Sequence, residues 1–376
     1  STERSGAATG LKYERALGND DFVSVDTFHQ EMKDRTYDTI RNSRTSISPE
    51  YKTTWRGNQL IFGGEFADAK ANTDTKKQVG QQTQSVFVQA FHPLTKKTTV
   101  DVGLRTQRAD SDFQTTSGAS TTSATAHKTG ASVGVLTQLT DMSSLRAGAL
   151  TGFRFPNADE LYTFNRSNYA LLEINPTVKP MSTREYFLQF EQRYSSGKFA
   201  AHYRHIDASD EIAYQYNCGV VGGVAASCNS NLYDTQRSIL SLSSDWKISA
   251  SATLKASVDV VDATIATGSN AGHRIPLTPK QVVRLSYEQT IQDYTLMSSV
   301  NRRSGMMQAS DQSASNPEIP SRTVVDLGVR TQFSQTMSAS FWVRNLFNKS
   351  YYDYATYNGI YPADARGMFA NLKVAF

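Results

Sequence analysis

Residues 369–376 read FANLKVAF and close the chain on an aromatic residue. In steps of two backwards, Phe376, Val374, Leu372, Ala370 and Met368 form one face. Ala375, Lys373, Asn371 and Phe369 form the other. One face is apolar and the other mostly polar or small, which is the period-two pattern of a strand with a different solvent on each side. The same pattern recurs along the chain. In TLKASVDVV, Leu254, Ala256, Val258 and Val260 oppose Lys255, Ser257 and Asp259. In SASFWVR, Ala339, Phe341 and Val343 oppose Ser340, Trp342 and Arg344. In KTTVDVGLRTQ, Val100, Val102 and Leu104 oppose Asp101, Gly103 and Arg105. VVRLSYE and TVVDLGVRTQF repeat it, and about seventeen such segments are expected, most near the ~10 residues a tilted membrane strand needs.

Composition agrees with strands that stand between two solvents. Hydrophobic residues are 39% of the 376, low for a conventional core, yet Tyr and Phe number 18 each. No run approaches 18 apolar residues, so no helical span is expected. The net charge of +4 is spread along the chain, with no basic helix or RNA-binding motif, which argues against nucleic acid as a partner. No nucleophile elbow, P-loop, HExxH or dinucleotide fingerprint occurs in a fitting context, so no enzyme and no cofactor are expected.

The connections alternate in length. Short ones read LGND (17–20), RGN (56–58), PLTK (93–96), TDMS (140–143), SSG (195–197), KIS (247–249), IQD (291–293) and SQT (334–336). Between them fall long polar stretches near 34–43, 69–80, 109–123, 156–182, 207–231, 264–279, 304–321 and 347–364. Tight turns on one rim and long loops on the other are the pattern of an antiparallel outer-membrane β-barrel, the short turns and C-terminus periplasmic and the long loops extracellular. A soluble sandwich has no reason to sort its loops by parity. An odd count of strands ending at Phe376 implies that an odd number of N-terminal strands is missing, unless one strand is miscounted.

Several motifs resemble TonB-dependent outer-membrane receptors. The C-terminal stretch carries Asn345, Leu346 and Phe347, then Tyr351, Pro362, Arg366 and the final Phe376, which resembles the family's terminal signature. FRFPNADELY (153–162), with Phe153, Arg154 and Pro156, is similar to a mid-barrel motif, and NPTVKP (175–180) and IPLTP (275–279) resemble strand-entry segments. YPADARG in place of a Pro-Gly-Arg turn, and Phe155 inside the mid-barrel motif, depart from the pattern. The resemblance implies a barrel of about 22 strands around a plug, of which this chain holds some seventeen without the plug. It further implies a monomeric receptor in outer-membrane lipid, coupled to TonB through the missing plug, that imports a chelate such as a ferric siderophore. A passive porin or a surface docking barrel is the alternative.

Residues suited to an anionic, aromatic chelate gather in the long stretches: Tyr162, Phe164, Arg166 and Tyr169; Tyr214 and Tyr216; Arg302 and Arg303; Tyr351, Tyr354 and Tyr357. Arginine would meet charge and the rings would supply contact; girdle or loop packing is the competing role for each. Cys218 and Cys228 are the only cysteines, ten residues apart in a Gly/Ala/Ser-rich loop; a local disulfide fits them, and two free thiols is the alternative. His202 and His205, three apart on a strand, point to opposite faces and do not form a metal site. Asp207, Asp210 and Glu211 could hold Ca²⁺ or be a solvated acidic loop.

Overall fold

The computed structural model describes residues 3–18, 20–35, 39–73, 78–114, 121–168, 171–175, 177–309, 311–356 and 359–374. Phe376, Ala375, Tyr169 and Tyr357 lie outside them. The described chain is almost entirely antiparallel strand. The strands are β1 (Glu3–Gly18), β2 (Asp21–Arg35), β3 (Thr39–Trp55), β4 (Asn58–Thr73), β5 (Gln78–Pro93), β6 (Thr98–Gln114), β7 (Thr121–Thr140) and β8 (Ser143–Arg154). A turn of 3-10 helix (Ala158–Leu161) leads to the short β9 (Tyr162–Asn165) and β10 (Leu171–Ile174). There follow β11 (Met181–Tyr194), β12 (Gly197–Gln215), β13 (Val220–Val221), β14 (Val224–Ser249), β15 (Ala252–Ile265), β16 (Gln281–Ile291) and β17 (Tyr294–Arg303). The last are β18 (Arg322–Gln332), β19 (Met337–Arg344), β20 (Tyr352–Thr356), β21 (Gly359–Pro362) and β22 (Gly367–Val374). Five are short pieces inside connections (β9, β10, β13, β20 and β21), and the remaining seventeen match the number read from the sequence.

The chain divides into two compact units. The first comprises residues 1–136, 148–185 and 207–234; the second comprises 137–147, 186–206 and 235–376. In the second unit, adjacent registers show the two solvents directly. One cross-strand row runs Ala256–Leu285–Val300–Val325, and the row beside it runs Lys255–Ser286–Ser299–Asp326. The first is apolar and the second hydrophilic, although a single residue separates them on every strand. β19 and β22 repeat this: Met337, Ala339, Phe341 and Val343 lie opposite Val374, Leu372, Ala370 and Met368, while Ser338 and Ser340 face Lys373 and Asn371. Leu285, Leu296, Leu327, Phe341 and Leu372 are all exposed. The apolar faces are therefore on the surface, the reverse of a soluble core.

In the first unit the exposed apolar face ends at a definite level. It reaches Ile47 on β3, Phe66 on β4, Val86 on β5 and Leu104 on β6, beyond which the same faces carry Thr45, Asp68, Gln84 and Thr106. Phe66 pairs with Gln84, and Val86 with Gly64 and Thr106. From β4 to β6 the border therefore steps two residues per strand, as strands tilted across an apolar slab require.

The polar stretches 34–43, 69–80 and 109–123, expected as long loops, are mostly paired strand. β2 and β3 pair as far as Arg35 with Thr39, β4 and β5 as far as Asn72 with Gln78, and β6 continues to Gln114. Beyond the apolar border both faces meet water, so alternation disappears while backbone pairing continues. Likewise β12 and β14 extend into 207–231. The short connections are tight turns. Arg56 and Gly57, both at positive φ (50° and 78°), join Trp55 to Asn58 in the two-residue geometry that suits strand twist. The KIS turn shifts: Ser249 still pairs with Ala252, and the reversal falls at 250–251. Exposed aromatic residues lie at or beside these turns: Trp55 in the first unit, and in the second Tyr294, Phe333 and Tyr194, the last with its ring 5.1 Å from that of Trp246.

Candidate functional site

In the first unit the mid-chain motif builds a fixed corner. Arg154 donates Nη1–H to Glu160 Oε2 at 2.6 Å, and the Asn157 amide donates to the same oxygen at 2.9 Å. Phe153 and Phe155 stack edge to face at 5.7 Å, and the Pro156 carbonyl accepts from Gln81 Nε2. The motif thus ties the end of β8 to the 3-10 turn. Tyr162, a candidate ligand residue by sequence, is 2% exposed and packs with Ala71, Val79, Leu161, Val178 and Ile212. Its role is core, because the loop segment folds back onto strands that have already left the apolar slab. Phe164 lies against the same cluster, its ring 6.2 Å from that of Tyr162.

Arg166 is placed differently. Its guanidinium lies over the exposed Tyr216 ring at 4.8 Å, and its backbone amide donates to the Ala225 carbonyl. Cys218 and Cys228 are joined by a disulfide. It brackets the β13–β14 hairpin, whose turn uses Gly222 and Gly223 at φ 58° and 83°. β14 also pairs with β9, Cys228 opposite Thr163 and Ser227 opposite Phe164. The disulfide therefore braces a small sheet that presents Arg166 and Tyr216. Tyr214 is half-buried nearby in the sequence.

In the second unit the adjacent Arg302 and Arg303 separate to opposite faces. Arg302 pairs with Val283 and Thr323 and shares the side of Val300, which is the apolar exposed face. Arg303, 7% exposed, turns the other way and meets Asp353, which also receives Arg322. The Arg322 guanidinium lies 4.9 Å from the Tyr351 ring centre. Burial opposes ionisation of Asp353, but hydrogen bonds from Arg322 and Arg303 outweigh it and hold its carboxyl below the usual range. A lowered carboxyl contributes fully above the ordinary aspartate range, and the contribution disappears as pH falls through the lowered value. The β20–β21 hairpin is thus expected to stay docked at pH 5 and to loosen only below about pH 4. Near-ultraviolet circular dichroism of its tyrosines, compared between wild type and Asp353→Asn, reads this: the variant should show no such transition.

One side of that hairpin is anchored. Ala355 is buried with Met306 and Ile319, and its carbonyl accepts the Ala309 amide. The other side carries Tyr354 and Tyr361, paired across the hairpin with rings 5.1 Å apart. They are 43% and 56% exposed. Tyr361 was not singled out in the sequence, since only the hairpin register brings it to Tyr354. The terminal motif is structural. Asn345 (φ 51°) and Asn348 (φ 49°) are left-handed; Asn345 bonds both backbone groups of Lys349, and Asn348 Oδ1 accepts the Arg366 amide. The Leu346 amide donates to the Val325 carbonyl, and Phe347 is exposed.

Below these connections, within the second unit, a cavity of about 510 Å³ is lined by Lys198, Asp245, Lys255, Arg284, Ser299 and Asp326. Arg284 also pairs with Asp259 at 2.8 Å. Among the described residues no three His, Cys, Asp or Glu side chains gather as metal ligands. His202 packs on the Phe187 ring, and His205 shares a hydrogen bond with Ser238.

Comparison with known proteins agrees with this geometry. The family model described as TonB dependent receptor-like, beta-barrel, matches residues 3–346. No curated protein sequence matches the chain. Among solved structures, the ferric-catecholate import receptor Fiu from E. coli K12 superposes with a TM-score of 0.78 at 13% identity, covering 100% of this chain and 64% of that one. The copper transporter OprC gives 0.77 at 14%, covering 99% and 65%. The ferric citrate transporter FecA gives 0.76 at 14%, covering 99% and 62%. Such identities establish a shared fold, and the chain spans less than two thirds of each of these structures.

Proposed function

The chain belongs to the TonB-dependent receptor β-barrel family, and from that premise we propose that residues 1–376 are the barrel portion of an outer-membrane importer of a ferric siderophore. Lipid would cover the apolar rows, TonB would supply energy through a plug, and the receptor would act as a monomer. The long hairpins would face outward, with the short turns and the C-terminus periplasmic. The polar wall of Lys255, Arg284 and Asp326 would line the path.

Exposed aromatic groups on braced loops, one with a half-buried cation against it, carry this reading: Tyr216 with Arg166, and the Tyr354–Tyr361 pair. They suit a chelate with aromatic rings and negative charge. Two neighbours are named for ferric chelates. One is named for copper, but Met306 and Met307 are both buried here and do not present thioethers to a ligand. Uptake of radiolabelled iron is the test, in an iron-starved Gram-negative host that lacks its own receptors and expresses the full-length protein. Catecholate, hydroxamate and carboxylate siderophores are compared with haem and cobalamin. At least one siderophore should enter tenfold above the empty host, and loss of TonB should abolish the gain. Uptake of none of the siderophores would overturn the assignment.

A further inference from the structure

At the ends of β17 and β18 two guanidiniums share one carboxylate. Asp353 Oδ1 accepts Nε–H of Arg303 at 3.0 Å and Nε–H of Arg322 at 2.8 Å, and Oδ2 accepts Nη2–H of Arg322 at 2.9 Å. Both arginines have further partners, one of them on the hairpin itself: Arg303 Nη2 also donates to the Tyr352 carbonyl at 3.2 Å. Arg303 also donates to the Ser304 carbonyl at 2.8 Å, and Arg322 to Asn301 Oδ1 at 3.2 Å. Their side chains are 7% and 15% exposed, whereas that of Asp353 is 44% exposed. Nearby Asp326 is occupied by the Asn345 amide and the Ser299 hydroxyl. The fixed part of this arrangement is thus a double cation at strand ends, Arg303 buried and Arg322 of low exposure. Its anion arrives on a short hairpin with one open side.

We propose that Arg303 and Arg322 form an oxyanion site for a carboxylate group of the imported ligand, and that Asp353 fills it until the ligand takes its place. The assignment rests on the importer reading for the ligand, but the site itself rests on the contacts above. Arg322 offers a fork of parallel N–H donors to the two oxygens of a planar anion and Arg303 adds its donors to one of them, the geometry Asp353 now satisfies. An empty double cation at low exposure is strongly disfavoured, so exchange of one anion for another is the accessible route. A tethered carboxylate competes at an effective concentration on the order of millimolar or more. A simple monoanion therefore fails against it, while a polyanion with further contacts succeeds. Exchange releases the Asp353 contact of the hairpin that carries Tyr354 and Tyr361, which couples ligand charge to the aromatic pair.

Citrate is the probe, titrated calorimetrically into the purified full-length receptor and its Asp353→Asn and Asp353→Asn/Arg322→Gln variants. Removing the resident carboxylate should tighten citrate binding at least tenfold over wild type, and the added loss of Arg322 should abolish the gain. Equal citrate affinity in wild type and Asp353→Asn overturns the proposal, as does equal affinity in the two variants. If the variants do not assemble, hydrogen exchange of residues 352–362 in the wild type decides. Saturating citrate should speed it at least threefold, and unchanged exchange overturns the proposal. Iron uptake by the wild type is scored separately, so failure of the importer reading and failure of this site give different results.

Discussion

Leu285→Arg should assemble in the membrane markedly less well than wild type, whereas Ser299→Arg should assemble within about twofold of it. The two residues belong to neighbouring strands and lie on adjacent rows. Leu285 sits between Ala256 and Val300 on the apolar face, and Ser299 between Ser286 and Asp326 on the hydrophilic one. An arginine on the lipid side of a transmembrane strand costs about 2–4 kcal/mol near the midplane, a factor of roughly 30 to 1000 in the folding equilibrium constant. At position 299 the same side chain meets water and the carboxylate of Asp326. Heat-modifiable migration on gels of outer-membrane fractions measures the assembled fraction directly. If both variants assemble equally well, the assignment of lipid and water to the two rows is wrong.

The same alternation explains what could be read without coordinates. Period two survives wherever the two faces meet different solvents, so the rows through Leu254–Val260, Val325–Val329 and Met368–Val374 were legible. So were the tight turns, because positive-φ pairs such as Arg56–Gly57 leave a compositional mark. It failed where both faces are wet: β2, β3, β4, β5 and β6 continue as paired strand through stretches that look like loops. Arg303 and Arg302 show a missed use of the rule. Extending the parity of Ser299 and Asn301 by one step puts Arg303 on the hydrophilic face and Arg302 among the valines. Tyr162 was illegible for another reason. Its burial depends on contacts with Ala71 and Val79, far away in sequence, as a loop folds onto distant strands. The pairing of Tyr354 with Tyr361 likewise depends on a hairpin register that composition does not encode.

Asn345→Ala is expected to destabilise the end of β19 by on the order of 3 kcal/mol, more than any exposed loop change, and to do so through two separable terms. The residue is buried and left-handed, at φ 51°. Its side chain accepts the Lys349 amide at 2.8 Å and donates to the carbonyls of Lys349 at 2.9 Å and Asp364 at 3.4 Å. Alanine loses these bonds and also pays the steric penalty of a Cβ at positive φ, about 1–2 kcal/mol, that asparagine tolerates better. Glycine loses the bonds but not the backbone fit, so Asn345→Gly should be milder by roughly 1 kcal/mol. Aspartate keeps the acceptor and the left-handed preference while losing the donor, and should fall between glycine and wild type. Urea unfolding of the refolded full-length protein in detergent orders the four proteins. Glycine and alanine variants of equal stability would remove the backbone term, and a silent series would remove the scaffold altogether. The expected order assigns the Asn345-Leu346-Phe347 signature to holding the last hairpin in place beside β18, where Arg322 meets Asp353. It assigns none of it to touching ligand.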